Sequence, residues 1–363
     1  MASNSFGNLF RITTWGESHG KAVGVVIDGC PAGLALSAED INQELSRRAP
    51  GKNDYTTPRQ EKDQAEIYSG IFEGKTTGAP ILLIIFNKDA DSSAYEPIKN
   101  LLRPGHANFT YLEKYGIYDH RGGGRASARE TACRVAAGAV AKKLLKHFLI
   151  DICAYLGGLS DIKATVNLQY LADLKLLIHS SPIFCPDKKA EELMTKKIKA
   201  VKEMGDSVGG VVEFIATGLP VGLGDPVYEK LEANLAKAML SLPATKGFEI
   251  GEGFAASSMT GSGHNDPFIS SDNVIHTETN HAGGTLGGIS TGMPLYGRVA
   301  FKPTSSIKKP QKSVTIQGEA AEFKLPEGSR HDPCVAIRAV PVVEAMCALV
   351  LADALLMNRL VKL

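Results

Sequence analysis

The densest chemistry in the chain lies at Arg121-Gly-Gly-Gly-Arg125-Ala-Ser127-Ala-Arg129-Glu-Thr-Ala-Cys-Arg134. A glycine run leads into a helix start and four arginines surround it. Free N–H groups and the helix dipole make such a start an anion site. Guanidinium groups add paired donors that match phosphate or carboxylate. The bland alternative is a solvated basic helix start, but glycine, cap and arginine density coincide here. Three turns present groups for acid–base work near neutral pH. Gly16-Glu-Ser-His19-Gly20 follows a strand, Arg103-Pro-Gly-His106 sets a histidine beside an arginine, and Arg330-His331-Asp332-Pro333 gathers three polar groups before the last helix. For Asp332 the competing role is a helix cap. His120 has nothing around it that reads as a site. Lys302-Pro303-Thr304-Ser305-Ser306 offers an ammonium and hydroxyls to an anion, or is simply a polar loop.

The elements that must hold these turns follow from pattern. Leu9–Trp15 and Val23–Asp28 read as strands. Ser37-Ala-Glu-Asp40 opens a helix that Pro50-Gly51 must stop. Glu66–Phe72 and Ala79–Phe86 read as a hairpin. A helix runs from about Ala128 to Phe148 behind a Ser127-x-x-Glu130 capping box, with Val135, Ala139, Val140, Leu144, Leu145 and Phe148 at helical spacing. Further helices fall at Lys189–Met204 and Glu229–Leu240. Extended segments fall at Val208–Thr217, Phe248–Phe254 and Leu295–Phe301. A final helix over Val342–Met357 is apolar nearly all round and so expected to be buried. Pro333 would fix that helix's first turn. Strands and helices mix without strict alternation, which predicts an α+β sandwich rather than a doubly wound sheet.

Composition bounds the function. The 363 residues carry a net charge of +1, with 44% apolar and 22% charged residues. That is a globular composition with no global pull toward nucleic acid or acidic membrane. No signal peptide is read at Met1–Phe6, and the longest strongly apolar run, Ala79–Phe86, is far short of the roughly 20 residues needed to span a bilayer. The six cysteines, Cys30, Cys133, Cys153, Cys185, Cys334 and Cys347, are scattered and read as reduced core thiols of a cytosolic protein. No Cys or His pair has zinc spacing, so no metal is expected. The sequon at Asn108 has no consequence without secretion. Glycine, at 37 residues, exceeds the usual ~7% and is clustered, which suits backbone lying close to a ligand. Gly70-x-x-x-Gly74-Lys75-Thr76 is one residue short of a P-loop. Gly284-x-x-Gly287 is not a dinucleotide fingerprint. Ser18 beside His19 lacks the elbow of an esterase.

Taken together the motifs resemble those of the chorismate synthase family. The likeness rests on Gly16–Gly20 continuing to Asp28-Gly29, on Gly122–Glu130, and on Arg330-His-Asp-Pro-Cys334 running to Glu344. Arg103–His106, Asn280-His-Ala-Gly-Gly284 and Lys302–Ser306 extend it over the whole chain. The resemblance implies a β-α-β sandwich, one catalytic domain over residues 1–363, and a cytoplasmic homotetramer. It implies conversion of 5-enolpyruvylshikimate 3-phosphate to chorismate and phosphate, a 1,4-elimination that needs reduced FMN without net redox change. It assigns His19 as the acid at the leaving phosphate, His106 to flavin N1 and Asp332 to the proton at N5. Flavin contacts carry over to Arg125, Ala126, Ser127, Pro243, Ala244, Gly287, Lys302, Pro303, Thr304, Ser305, Ser306 and Arg330. Substrate contacts carry over to His19, Arg47, Arg48, Ser127, Arg129 and Arg134.

The sequence also departs from that pattern. Asp54 stands where relatives can carry an arginine linked to NADP, which leaves only Arg48 there. NADPH is therefore expected only as ultimate reductant, through a separate flavin reductase. Ala126 replaces a serine and Pro243 an asparagine. Two alternatives stay open: a redox flavoenzyme acting on an anionic substrate, and a nucleic-acid binder working through the 121–134 arginines, which the balanced charge and the lack of interleaved aromatics disfavour.

Overall fold

The computed structural model of the chain describes residues 3–51, 54–57, 61–89, 92–167, 171–271, 273–326, 331–359 and 361. Two five-stranded antiparallel sheets enclose a layer of helices. The first sheet is built from β1 (Ser5–Phe6), β2 (Arg11–Gly16), β3 (Ala22–Asp28), β4 (Ala65–Ile67) and β5 (Ile81–Phe86), in the order β1-β2-β3-β5-β4. The second contains β6 (Asp151–Leu159), β7 (Ile162–Lys163), β8 (Gly210–Thr217), β9 (Thr245–Ile250) and β10 (Leu295–Phe301), in the order β9-β10-β8-β6-β7. Between them lie α1 (Ala38–Arg48), α2 (Thr131–His147), α3 (Leu231–Leu240) and α4 (Val335–Asn358). Helix α2 packs on β3 and β5, and α4 packs on β6 and β8. This is the β-α-β sandwich that the sequence led us to expect.

Burial pattern explains the layering. On β5 the alternating residues Ile81, Leu83 and Ile85 point inward and are fully buried. Each such side chain contributes roughly 1.5–3 kcal/mol by leaving water. Helices α2 and α4 approach closely because Gly138 has no Cβ; one there would overlap Ala345. Helix α4 is long and apolar enough to cross a membrane by length and composition, although Arg338, Glu344 and Asp353 interrupt every run of apolar letters. Nearly nine-tenths of its most apolar window is buried between the sheets, so it reads as a core helix. All six cysteines are buried and unpaired.

Several boundaries differ from expectation for local reasons. Ser37 and Asp40 form a complete capping box on α1. At Ser127 only half of one forms: its hydroxyl accepts from the Arg129 N–H, while the Glu130 carboxylate turns to Thr14 and Arg134. The helix therefore opens with a short 3₁₀ turn before α2. The expected hairpin over Glu66–Phe86 is two nested pairs, β4 with β5 outside and Ile71–Phe72 with Lys75–Thr76 inside. Helix α4 starts two turns earlier than expected, with Pro341 in its interior and Cys334, not Asp332, as its N-cap. Phe248–Phe254 is strand only to Ile250 and then turns into a 3₁₀ segment at Gly253–Ser258.

Candidate active site

The turns at Gly16–Gly20, Arg103–His106 and Gly122–Arg125 meet at the 302–306 strap and the start of α4. They enclose a cleft of about 740 Å³. Its wall carries Arg48, Arg103, Arg125, Arg129, Arg134, Lys237, Lys302 and Arg338 against three carboxylates, Glu61, Glu130 and Asp332. Such a surplus of positive charge in a partly desolvated cleft attracts polyanions.

Each functional side chain is fixed by a local device. His19 Nδ1 lies 3.0 Å from Ser18 Oγ, and the Gly123 N–H donates to that same oxygen at 3.4 Å. The His19 ring packs edge-on against Tyr95 at 5.2 Å between centroids. Tyr95 in turn lies under the Arg103 guanidinium, which donates to Gly122 O (3.0 Å) and Ser306 Oγ (3.1 Å). The adjacent glycines back onto the two histidines. A Cβ on Gly122, held at φ +67°, would strike the His19 ring, and one on Gly123 would sit 3.3 Å from His106 Nε2. Glycine is needed there for close approach as much as for its dihedral.

The strap is tied down at its first residue. Lys302 N–H donates to Ala244 O (2.9 Å) and Lys302 Nζ to Gly105 O (2.7 Å). This joins the Pro243-Ala244 corner to the His106 turn and holds Ala244 in the left-handed region at φ +69°, a conformation that costs a residue with a Cβ of order 1–3 kcal/mol. Asp332 accepts from the Thr57 N–H (2.8 Å) and from Arg338 Nη1 (2.9 Å). It is clamped as a carboxylate and does not cap the helix.

Behind the wall, the buried Asp63 pairs with Arg48 and Arg129. Arg48 also donates through Nε to Thr131 Oγ1 (3.1 Å) and through Nη2 to Ala128 O (2.9 Å). Arg129 donates to Asn87 Oδ1 (2.7 Å) and Phe86 O (3.4 Å). Glu130 organises a second group. It accepts from Thr14 Oγ1 (2.9 Å) and Arg134 Nε (2.9 Å), while Arg125 donates to Gly16 O and Thr14 Oγ1.

Electrostatics are shaped by burial and by the cations. Burial, reinforced by Arg103, His331 and Lys302, pushes His106 down to about 3. Burial and Arg103 push His331 down to about 4. Both rings are therefore neutral at pH 7. Burial pushes Arg48 down to about 10 against the opposing pull of Asp63. Burial alone would raise Asp63, but Arg48 and Arg129 outweigh it and hold the carboxyl below its ordinary value.

The cleft brings together most of the residues singled out in the sequence: His19, His106, Asp332, Arg48, Arg125, Ala126, Ser127, Arg129, Arg134, Pro243, Ala244, Lys302, Thr304, Ser305 and Ser306. Pro303 belongs to the strap but packs beside Gly209. Arg47 and Gly287 lie off the cleft. Arg47 is committed to Glu344 and Glu44, and Gly287 is on the exposed turn between the short strands Thr285–Leu286 and Ile289–Ser290. Arg330 falls outside the described residues. The cleft also contains Arg103, His331, Arg338 and Lys237, with Asp63 behind it. Arg103 and His331 stood inside the turns already noted. Nothing in the sequence around Lys237, Arg338 or Asp63 marks them.

Polar atoms test what the cleft can hold. His106 Nδ1 and Thr304 Oγ1 are buried and have no hydrogen-bond partner among the described residues. Buried polar groups are nearly always satisfied. Two such atoms facing a cationic cleft floored by glycines suit a flat heteroaromatic group with acceptor atoms and an anionic tail. Flavin mononucleotide has that chemistry. Among the described residues no cluster of His, Cys, Asp and Glu could hold a metal ion.

Known proteins resemble this chain over nearly its whole length. The family profile described as chorismate synthase matches residues 10–356. The chain is 62% identical to a chorismate synthase of Protochlamydia amoebophila over 367 aligned positions, covering 100% of each chain. It is 54% identical to one of Opitutus terrae, with 96% of each chain covered. A chorismate synthase crystal structure superposes with a TM-score of 0.77 at 35% identity, covering 97% of this chain and 93% of that one.

Proposed function

The chain belongs to the chorismate synthase family of lyases, and on that premise we propose that its cleft converts 5-enolpyruvylshikimate 3-phosphate to chorismate and phosphate with the help of reduced FMN. The family acts on a small-molecule substrate at the last common step of the shikimate pathway. What supports the finer reading is one observation. A strongly cationic cleft converges on His19, His106 and Asp332 and contains two buried polar atoms that lack partners among the described residues.

The substrate carries a phosphate and two carboxylates. Arg48, Arg129 and Arg134 bind and orient these groups, with Ser127 contributing what its capping bond leaves free. His19 delivers a proton to the departing phosphate, whose developing charge the guanidiniums stabilise. Arg125, Ala126, Ser127, Pro243, Ala244 and Lys302–Ser306 hold the flavin, to which Arg330 also belongs in this reading. Reduced FMN, when bound, lends electron density to C–O cleavage and recovers it. With flavin bound, His106 would protonate or stabilise N1, and an anionic partner there would draw its pKa upward. Asp332, fixed by Thr57 and Arg338, would relay the proton taken up at N5. The enclosing strap keeps water and oxygen from these groups.

We read residues 1–363 as one catalytic domain and the enzyme as a cytoplasmic homotetramer, served by a separate flavin reductase with NADPH as ultimate reductant. An apolar surface supports assembly: Phe254, Phe268, Val274 and Ile275 are each 60% or more exposed.

The roles are tested by His19→Ala and His106→Ala. Each is expected to lower turnover by about 10²-fold or more with the fold intact. Near-normal turnover in both would remove the acid assignments. Anaerobic titration with reduced FMN should show a stoichiometric complex with the wild-type protein, and absence of binding would overturn the proposal.

A further inference from the structure

We infer that Asp63 is a positioning residue for substrate binding: its one carboxylate, shared between Arg48 and Arg129, sets the two guanidiniums at a fixed spacing so that together they grip a single anionic group. The inference rests on the proposed function for the nature of that group, and on geometry for the rest.

The side chain of Asp63 is fully buried, and those of Arg48 and Arg129 are 2% and 3% exposed. One oxygen faces each arginine. The backbone of Asp63 sits at φ +48°, in the left-handed region that Asp and Asn tolerate better than most residues. This places a short acid where no ordinary strand or helix position would. Each guanidinium has a second side-chain anchor, Thr131 for Arg48 and Asn87 for Arg129, and each donates one further N–H to a backbone carbonyl. With five N–H groups per arginine, two on each remain without a protein acceptor among the described residues. Both arginines line the cleft.

Two guanidiniums and one carboxylate leave one positive charge in a nearly dry wall, on the side of the triad that lines the cleft. Without the carboxylate the two cations would repel, lose their common spacing and need new partners. The surplus charge and spare donors make the site complete only when an anionic oxygen enters.

The decisive variant is Asp63→Asn, which keeps shape and backbone tolerance and removes the charge. Affinity is read by calorimetry with two probes, inorganic phosphate and 5-enolpyruvylshikimate 3-phosphate, alongside KM, kcat and melting temperature. Both dissociation constants and KM are expected to rise about tenfold or more, the scale of one charge-assisted hydrogen bond. In the same variant kcat should change less than about threefold, because the chemistry-bearing His19 is untouched. Asp63→Glu should recover part of the loss. Asn87→Ala removes the side-chain anchor of Arg129 together with the Asn87 Nδ2 bonds to Glu17 O and Gly20 O in the His19 turn. Inorganic phosphate affinity should then weaken by about threefold. That binding readout decides the matter if Asp63→Asn does not fold, and unchanged phosphate affinity overturns the inference. A melting shift with unchanged or tighter anion binding would reduce Asp63 to a structural role and overturn the inference. If wild-type protein binds phosphate and Asp63→Asn loses it, but no phosphate is released from the shikimate substrate, the reaction assignment has failed and the positioning role stands.

Discussion

Arg47 and Arg48 are neighbours on α1, yet they serve different sites. About 100° of helical rotation separates them. Arg47 points into the helix layer, where it donates bidentately to Glu344 (2.9 Å to each oxygen) and to Glu44 (2.8 Å), with Lys142 pairing to the same two carboxylates. Two cations meet two anions and their charges balance, with Arg47 Nε the donor left without a partner among the described residues. Arg48 points into the cleft, where Asp63 is the one carboxylate that it and Arg129 share among the described residues. The first arrangement stabilises a fold; the second leaves charge and donors for a ligand. Residue type and spacing are the same in both cases. What differs is the local balance of charge.

Several experiments would break or sharpen that contrast. The largest effect is expected on stability. Glu344→Ala leaves Arg47 and Lys142 to share Glu44 alone among the described residues and removes the buried carboxylate between them. It should destabilise the protein by about 3 kcal/mol, seen in denaturant melts, with KM of the folded fraction unchanged. Arg129→Ala should do the reverse. It is expected to weaken substrate affinity by about ten- to a hundredfold, the worth of one or two charge-assisted hydrogen bonds, with a smaller change in melting. Equal effects of both variants on affinity would erase the distinction.

The two regions should also separate by pH. His106 and His331 have folded pKa values of about 3 and about 4, against 6.5 for a free histidine. The unfolded chain binds the extra protons, so the stability these neutral rings contribute is complete above about pH 6.5 and decays as pH falls toward 4. Glu344 is different. Burial alone would raise its pKa, but Arg47 and Lys142 outweigh that and hold it below the ordinary 4.5. Its contribution is present above about pH 4.5 and lost only at more acid pH. Melting temperature should therefore begin to fall between pH 6.5 and 4 from the cleft, and His331→Asn should flatten that slope. An unchanged slope would mean that His331 binds its proton equally well in the folded and unfolded chain, so that burial does not lower it.

Much of this site was readable in the letters, because its chemistry is concentrated in short turns. The 121–134 segment, the His19 and His106 turns and the 302–306 strap each combine glycine or proline with charge, and all four line one cleft. Arg47 shows where that reading stops. Its membership in a substrate set could not be separated from that of Arg48, because the partner that claims it, Glu344, lies 297 residues away. Asp63 carried no signal, since its role depends on two arginines brought to it by separate elements. Strand β6 was not read at all. Eight of its nine residues are buried, so it lacks the alternation that marks a half-exposed strand. Ser127 and Glu130 matched a capping box in spacing, but tertiary partners claimed the glutamate.

The account stands or falls on phosphate release. Purified protein, freed of oxygen, should liberate inorganic phosphate from 5-enolpyruvylshikimate 3-phosphate when dithionite-reduced FMN is present, with many turnovers per flavin. It should liberate none when the flavin is omitted or oxidised. Release that consumes one reductant per turnover, or that proceeds without flavin, would contradict it.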